Sequence, residues 1–229
     1  MDVVSREIEK ANPRSILEVG PGLGAAAWFL AINRDYLGYE PDPESCRVAD
    51  SRLEGHSRAS VVNSPIPDEP TRQFDALVAM EVLEHIERDE DALRMWRRWV
   101  RPGGTLLISV PAKSHRFGPY DEAVGHYRRY EKDELTRLMT RAGLEEVEVV
   151  AYGMPLGYLL EFVRNRLLVK RLERHPASSD RTSRSGRSFQ PRSAAWLIST
   201  LTWPFRLLQR PFERTRLGIG WVAWGKVPP

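Results

Sequence analysis

The chain has 229 residues, 28% of them charged and 41% hydrophobic, with a formal net charge of +3. That length can bury a full core, and a single cysteine, Cys46, excludes an internal disulfide framework and a cysteine-held zinc site, so no metal is expected. No window holds the roughly 18 uninterrupted apolar residues of a membrane span, and Met1 to Glu7 lack the basic segment and apolar run of a secretory signal, which makes a soluble cytoplasmic protein the expectation.

Strand and helix signals alternate through the first half. Ser15 to Val19 is a short apolar run ending in glycines, and Leu23 to Ile32 reads as a helix. Tyr36 to Glu40 is a second strand, stopped by Pro41 and Pro43, and Glu44 to Leu53 is the next helix. Ser60 to Val62 and Phe74 to Met80 are the third and fourth strands. An amphipathic helix from Asp89 to Val100 stops at Arg101-Pro102-Gly103-Gly104, ahead of an apolar fifth strand from Thr105 to Val110. Glu131 to Ala142 predicts a helix ended by Gly143. Glu145 to Ala151 predicts a less buried sixth strand, and Gly218 to Gly225 a closing strand. This alternation predicts one α/β domain over residues 1–229, with a mostly parallel sheet covered on both faces.

Charge is unevenly spread. Residues 151–229 hold 14 of the 34 Lys and Arg but only 4 of the 31 Asp and Glu, so an acidic body carries a basic tail. Within it Pro155 to Arg174 reads as an amphipathic helix, residues 176–192 as a Ser/Arg-rich mobile loop, and Ala194 to Arg210 as an apolar, aromatic stretch broken by Pro204. The polarity suits an anionic partner or a plain solvated surface.

The chemistry opens at Glu18-Val19-Gly20-Pro21-Gly22-Leu23-Gly24. Glycines after a strand let the backbone turn tightly and approach a ligand closely, and the following helix start offers free N–H groups. A dinucleotide fingerprint is spaced G-x-G-x-x-G; here the spacing is G-x-G-x-G behind an acid. That acid would repel a pyrophosphate, but it suits the ammonium of an amino acid, as the helix start suits its carboxylate.

With these residues the chain resembles the class I methyltransferases, which bind S-adenosylmethionine through E/D-x-G-x-G-x-G and release S-adenosylhomocysteine. The resemblance covers roughly residues 14–152. Glu40 closes the second strand where the family places an acid on the ribose hydroxyls, next to Pro41. Phe74 to Val78 followed by Glu81-Val82-Leu83-Glu84-His85-Ile86 resembles the family's fourth-strand segment, and Arg101 to Gly104 its turn before the fifth strand. Where the family commonly carries an acid facing the adenine amino group, this chain has Asn63, whose side-chain carbonyl can accept that bond, with Ser64 beside it as a further cofactor-side candidate; Asn63-Ser64-Pro65 is also an ordinary turn. Met80 is read as lining the adenine pocket or packing in the core, and Glu81 as contacting cofactor or acceptor or capping a helix. The resemblance implies a Rossmann-like sandwich with strand order 3-2-1-4-5-7-6, here with residues 153–216 inserted between the last two strands.

Two histidines are candidates for general base. His85 follows the fourth strand at the ligand edge, as a cofactor contact, a base or a loop brace. His126 lies in Tyr120 to Tyr130, a stretch dense in donors and aromatic faces that resembles a Gly-His-x-Arg-Arg-Tyr signature of some small-molecule methyltransferases. Tyr120, His126, Tyr127, Arg128 and Arg129 are therefore the acceptor-side candidates, the arginines either binding an anionic acceptor or pairing with Asp121 and Glu122. The insertion has three readings beside a core-facing helical pair: an acceptor lid, a homodimer contact, or a surface resting on a membrane. The function expected is methyl transfer to a small molecule at oxygen. A nucleic-acid methyltransferase and a silent cofactor-binding protein are the alternatives; no RNA-binding module and no base-methylation motif follows the fourth strand.

Overall fold

Along β4 (Phe74–Met80) successive side chains enter opposite cores: Ala76 and Val78 join one, Leu77 and Ala79 the other. This period of two requires helices on both faces of the sheet. The structure is a computed structural model that describes residues 2–154, 157, 158, 161, 166 and 210–229. Seven strands lie in the order β3-β2-β1-β4-β5-β7-β6, formed by β1 (Ser15–Val19), β2 (Asp35–Tyr39), β3 (Ala59–Val62), β4, β5 (Val100–Pro111), β6 (Glu145–Tyr152) and β7 (Gly220–Lys226). The first five pair in parallel, and β7 runs antiparallel to both β5 and β6. The expected order is thus the observed one.

Helices α1 (Asp2–Ala11) and α2 (Ala27–Leu30) cover one face through Val3, Val4, Ile8, Ala27 and Leu30. Helices α4 (Asp89–Arg98) and α6 (Lys132–Arg141) cover the other through Leu93, Trp96, Leu135 and Met139. Helix α3 (Pro43–Ser51) starts where Asp42 accepts a hydrogen bond from the Ser45 amide at 2.9 Å, with Pro43 in the first turn. In α4 the acids Asp89, Glu90 and Asp91 open the helix and Arg97 and Arg98 close it, which matches its dipole.

Three elements differ from the sequence expectation. Residues 2–11 form a helix where none was expected, because its short apolar face gains order from packing on the sheet. The helix expected over Leu23 to Ile32 shrinks to α2, flanked by turns. Arg101 to Gly104 does not separate helix from strand but lies inside β5. Pairing slips between Phe74 and Ala76, and the Gly103 amide donates to the Val227 carbonyl at 2.8 Å while the Val227 amide donates to the Gly104 carbonyl at 3.0 Å. Backbone partners on the C-terminal segment make a bulge tolerable where proline and glycine alone would end pairing.

The expectations for residues 153–216 fall largely outside the described residues, including the mobile loop at 176–192 and the aromatic stretch with Trp196, Trp203 and Phe205. Among the described ones, Gly157, Tyr158, Glu161 and Arg166 are helical. Tyr158 accepts a hydrogen bond from Lys113 and donates one to the Gly218 carbonyl at 3.2 Å. No helix among the described residues is long and apolar enough to cross a membrane.

Candidate active site

At the carboxyl ends of β1, β2 and β4 opens a cleft of about 1080 Å³. A parallel sheet exposes its loops there. The volume reaches the upper end of the range for one small-molecule ligand, enough for a cofactor beside a small acceptor. Of the residues singled out from sequence, Glu18, Gly20, Pro21, Gly22, Glu40, Pro41, Met80, Glu81 and His85 line the cleft, as do Tyr120, His126 and Arg129. Gly24, Asn63, Ser64, Tyr127 and Arg128 lie off its wall.

The glycine loop divides its labour. Gly22 has φ +55°, and a Cβ built there would meet no atom within 4 Å, so its backbone faces open cleft. Its amide donates to Glu40 Oε2 at 2.8 Å, and the Asp42 amide donates to Glu40 Oε1 at 2.9 Å. Each oxygen of that carboxylate keeps a lone pair for another donor, such as a diol hydroxyl. Gly24, by contrast, packs: a Cβ there would stand 2.8 Å from the Ala49 Cα, so the glycine admits α3. Asn63 is turned to the backbone, its amide nitrogen donating to the carbonyls of Glu40 and Pro41 at 2.9 and 3.0 Å. It holds the turn that presents Glu40, while the neighbouring Pro65 and Ile66 line the cleft. Ser64 donates to the Pro65 carbonyl at 2.7 Å.

Glu18 is 1% exposed and accepts a hydrogen bond from the Tyr36 hydroxyl at 2.5 Å. Burial, reinforced by the charge of Glu40 and opposed by the Tyr36 bond, raises its pKa to about 7. A cation placed beside it would favour the carboxylate form. Glu81, just past β4, occupies the left-handed region at φ 55°, where a side chain is strained. Hydrogen bonds at 2.8 Å from the hydroxyls of Ser109 and Tyr152 hold its carboxylate on the cleft wall, not on a helix cap. Met80 serves both expected ends, packing on the core of α1 and reaching the wall.

The far end of the cleft is built by the segment from residue 113 to 130, which contains α5 (Pro119–Val124). His126 Nδ1 stands 2.8 Å from Asp121 Oδ1. Because a carboxylate only accepts, Nδ1 carries a proton, and in the neutral ring Nε2 then keeps a lone pair. Burial opposes ionisation of Asp121, but bonds from His126, from Arg129 and from the Gly118 amide outweigh it and hold its pKa down to about 2. Arg129 also donates to Glu161 at 2.8 Å, and Arg128 to Asp89 at 3.0 Å. Both arginines are thus paired within the protein, Arg129 with Asp121 as one of the two sequence readings had it. Tyr127 is exposed, and its amide donates to the Glu84 carbonyl at 2.8 Å.

His85 packs edge-on to His126 with ring centroids 4.6 Å apart, and its Nδ1 lies 3.3 Å from the Gly125 carbonyl. Burial, with the His126 ring adding to it, lowers the His85 pKa to about 4. Glu84 beside it is fully buried, and burial together with the charges of Glu81 and Asp121 raises its pKa well above the usual carboxylate range.

Sequence reasoning missed Tyr36, Tyr152 and Glu161 at the site. Tyr36 lies in the second strand two residues before Gly38, the partner of Glu18, and only pairing of β1 with β2 brings its hydroxyl there. Among the described residues the wall carries Glu18, Glu40, Asp42, Glu81, Asp121 and Glu161 against one guanidinium, that of Arg129. This balance suits a cationic or neutral ligand.

Residues 1–149 match a family described as a methyltransferase domain. An uncharacterized methyltransferase of Mycobacterium ulcerans is 31% identical over 124 residues, which is 52% of this chain and 48% of that one; a relative from Mycobacterium avium is 32% identical over the same length. The chain spans about half the length of the curated relatives it matches. Among solved structures, phosphoethanolamine N-methyltransferase 2 of Haemonchus contortus, in complex with S-adenosyl-L-methionine, superposes with a TM-score of 0.60 at 17% identity, covering 99% of this chain and 52% of that one. The [4+2]-cyclase SpnF superposes at 0.58 and 17% identity, covering 99% and 82%. These likenesses concern the fold.

Two outcomes follow. Gly24→Ala forces a side chain into α3 at a left-handed φ and should cost about 2–4 kcal/mol, read by chemical denaturation; an unchanged midpoint contradicts the packing role. Glu18 has a folded pKa raised above its unfolded value, so ionisation erodes stability as pH rises from 4.5 to about 7. Glu18→Gln should therefore stabilise the ligand-free protein by about 3 kcal/mol at pH 8 and leave it nearly unchanged at pH 4.5. A pH-independent difference in melting temperature contradicts the raised pKa.

Proposed function

We propose, from the premise that this chain belongs to the class I S-adenosylmethionine-dependent methyltransferases, that it methylates a hydroxyl oxygen of a small neutral or cationic molecule. The observation that carries this reading is the Asp121–His126 pair on the wall of the same cleft as the glycine loop. The residues at the loop fit the cofactor: Gly22 offers an open backbone cradle, Glu40 a carboxylate with free lone pairs for the ribose, and Glu18 a buried acid for the ammonium.

The cofactor supplies an electrophilic methyl group on a sulfonium, which an acceptor oxygen takes while the bonding pair stays on sulfur. Everything else falls to the protein. Pro65 and Ile66 give the cleft an apolar wall, and Glu81, fixed by Ser109 and Tyr152, adds a carboxylate to it. At the acceptor end His126 Nε2 receives the hydroxyl proton, and Asp121 holds the ring in the tautomer that allows it. Arg129 keeps Asp121 ionised and in place. Holding the acceptor in line and close supplies much of the remaining acceleration.

An anionic acceptor fits less well, because both candidate arginines are already paired and the wall is acidic. The same acidity argues against a phosphate backbone as substrate.

His126→Ala should lower turnover of S-adenosylmethionine with a hydroxyl acceptor by about 10²–10⁴-fold, measured as S-adenosylhomocysteine formed across a panel of small alcohols, phenols and amines. Its affinity for S-adenosylhomocysteine should change less than about threefold, since the cofactor residues are untouched. Turnover equal to the parent protein's, or turnover with amines alone, contradicts the hydroxyl reading.

A further inference from the structure

Glu84 is completely buried, yet neither of its carboxylate oxygens has a hydrogen-bond partner among the described residues. Buried polar atoms in folded proteins nearly always find partners, and an unpartnered carboxylate is among the costliest groups to leave alone. Oε1 of Glu84 lies 3.8 Å from His126 Nε2. Ligand atoms of Glu84, His85 and His126 all lie within 4.8 Å of one another. We propose that these three side chains bind a divalent first-row transition cation at the acceptor end of the cleft. This deepens the acceptor-end reading above and rests on it for what the cation does, not for whether it binds; with the ion bound His126 Nε2 is a ligand and no longer the base, and the proton of the cation-bound hydroxyl leaves to solvent.

The surroundings support a metal as well as the ligands do. Histidine ligands commonly donate their other ring N–H to a carboxylate or a carbonyl, which fixes the tautomer and aims the lone pair at the ion. Both histidines are arranged that way: His126 Nδ1 bonds Asp121, and His85 Nδ1 faces the Gly125 carbonyl. Asp121 is itself anchored by Arg129 and by the Gly118 amide, so the outer layer is built and rigid.

Chemistry selects the ion. Two imidazoles and one carboxylate favour zinc, iron, cobalt or manganese over magnesium and calcium, which prefer oxygen alone. Bonds of about 2.0–2.2 Å place ligand atoms roughly 3–3.5 Å apart, so the three side chains close by about an ångström when the ion binds. Three protein ligands leave open positions, the pattern of catalytic rather than structural sites. Since His85 and His126 line the cleft, those positions face the acceptor. The substrate class implied is an acceptor with oxygen donors, a phenol with a neighbouring hydroxyl or a hydroxy acid, whose oxygen a cation would make more acidic.

The test uses Co²⁺ alone as probe on the full chain after chelator treatment and desalting. Calorimetry and visible absorption should show one ion per chain at micromolar concentration, with d–d bands reporting nitrogen and oxygen ligands. Glu84→Gln and, independently, His85→Gln should each weaken Co²⁺ by at least about tenfold, while circular dichroism and cooperative thermal unfolding show both variants folded. Parent protein that binds S-adenosylhomocysteine but no Co²⁺, with or without that ligand, overturns the cation site and leaves the methyltransferase reading standing. Undiminished Co²⁺ binding by both variants also overturns it, because the ion would then sit elsewhere. Co²⁺ binding lost in the variants, with no S-adenosylhomocysteine bound by the parent, supports the cation site and instead counts against the cofactor reading.

Discussion

Glu18, next to last in the first strand, has its carboxylate out of water, a tyrosine hydroxyl as partner and a second acid, Glu40, close enough to raise its pKa. Such a group costs the folded protein stability once it ionises. The surrounding structure makes sense around that cost. Parallel pairing of β1 with β2 delivers both Tyr36 and Glu40, and the glycine loop bends so that the Gly22 amide meets Glu40. Gly24 lets α3 close against the loop, and Asn63 pins the turn after β2. A cationic amino-acid group beside it would supply the missing charge. Affinity and stability are therefore opposed at this residue, as they often are at functional sites.

The acceptor end follows a different logic. There, polar groups reach the wall through a chain of pairings: His126 on Asp121, Asp121 on Arg129, Arg129 on Glu161. Each is buried or partly buried, so each would be expensive alone and the set stands or falls together. Glu161 belongs to the segment following β6, which ties that segment to the site. Glu84 differs in that both of its oxygens lack a hydrogen-bond partner among the described residues, and that is what points to a cation.

The parts legible in the sequence were those set by consecutive residues. Glu18 to Gly24 carries its geometry in its own spacing, and Glu40 lies at the end of a strand whose register is set by a simple apolar run. Strand order followed from the family resemblance and holds. What escaped depended on partners far along the chain. The spacing around Asn63 could not show that its amide is spent on the Glu40 and Pro41 carbonyls. For Arg128 and Arg129 the sequence offered acceptor binding or pairing with Asp121 and Glu122, and did not show Asp89 and Glu161 as partners because they are distant along the chain. Arg101 to Gly104 looked like a break because its hydrogen-bond partner, Val227, sits in the C-terminal segment. Glu84 and His85 were visible as a motif, but their convergence with His126 exists only once the segment from 113 to 130 folds over the fourth strand.

The coupling between Glu18 and the ligand's charge is the centre of this account, and proton linkage measures it directly. Calorimetric titration with S-adenosylhomocysteine at pH 6 and pH 8 should give affinity about tenfold weaker at pH 6, because the free acid titrates near 7 and the ammonium needs the carboxylate. Binding at pH 6 should also release close to one proton, seen as a dependence of the heat on the buffer's ionisation enthalpy. No binding at either pH, or equal affinity at both without proton release, would contradict the account.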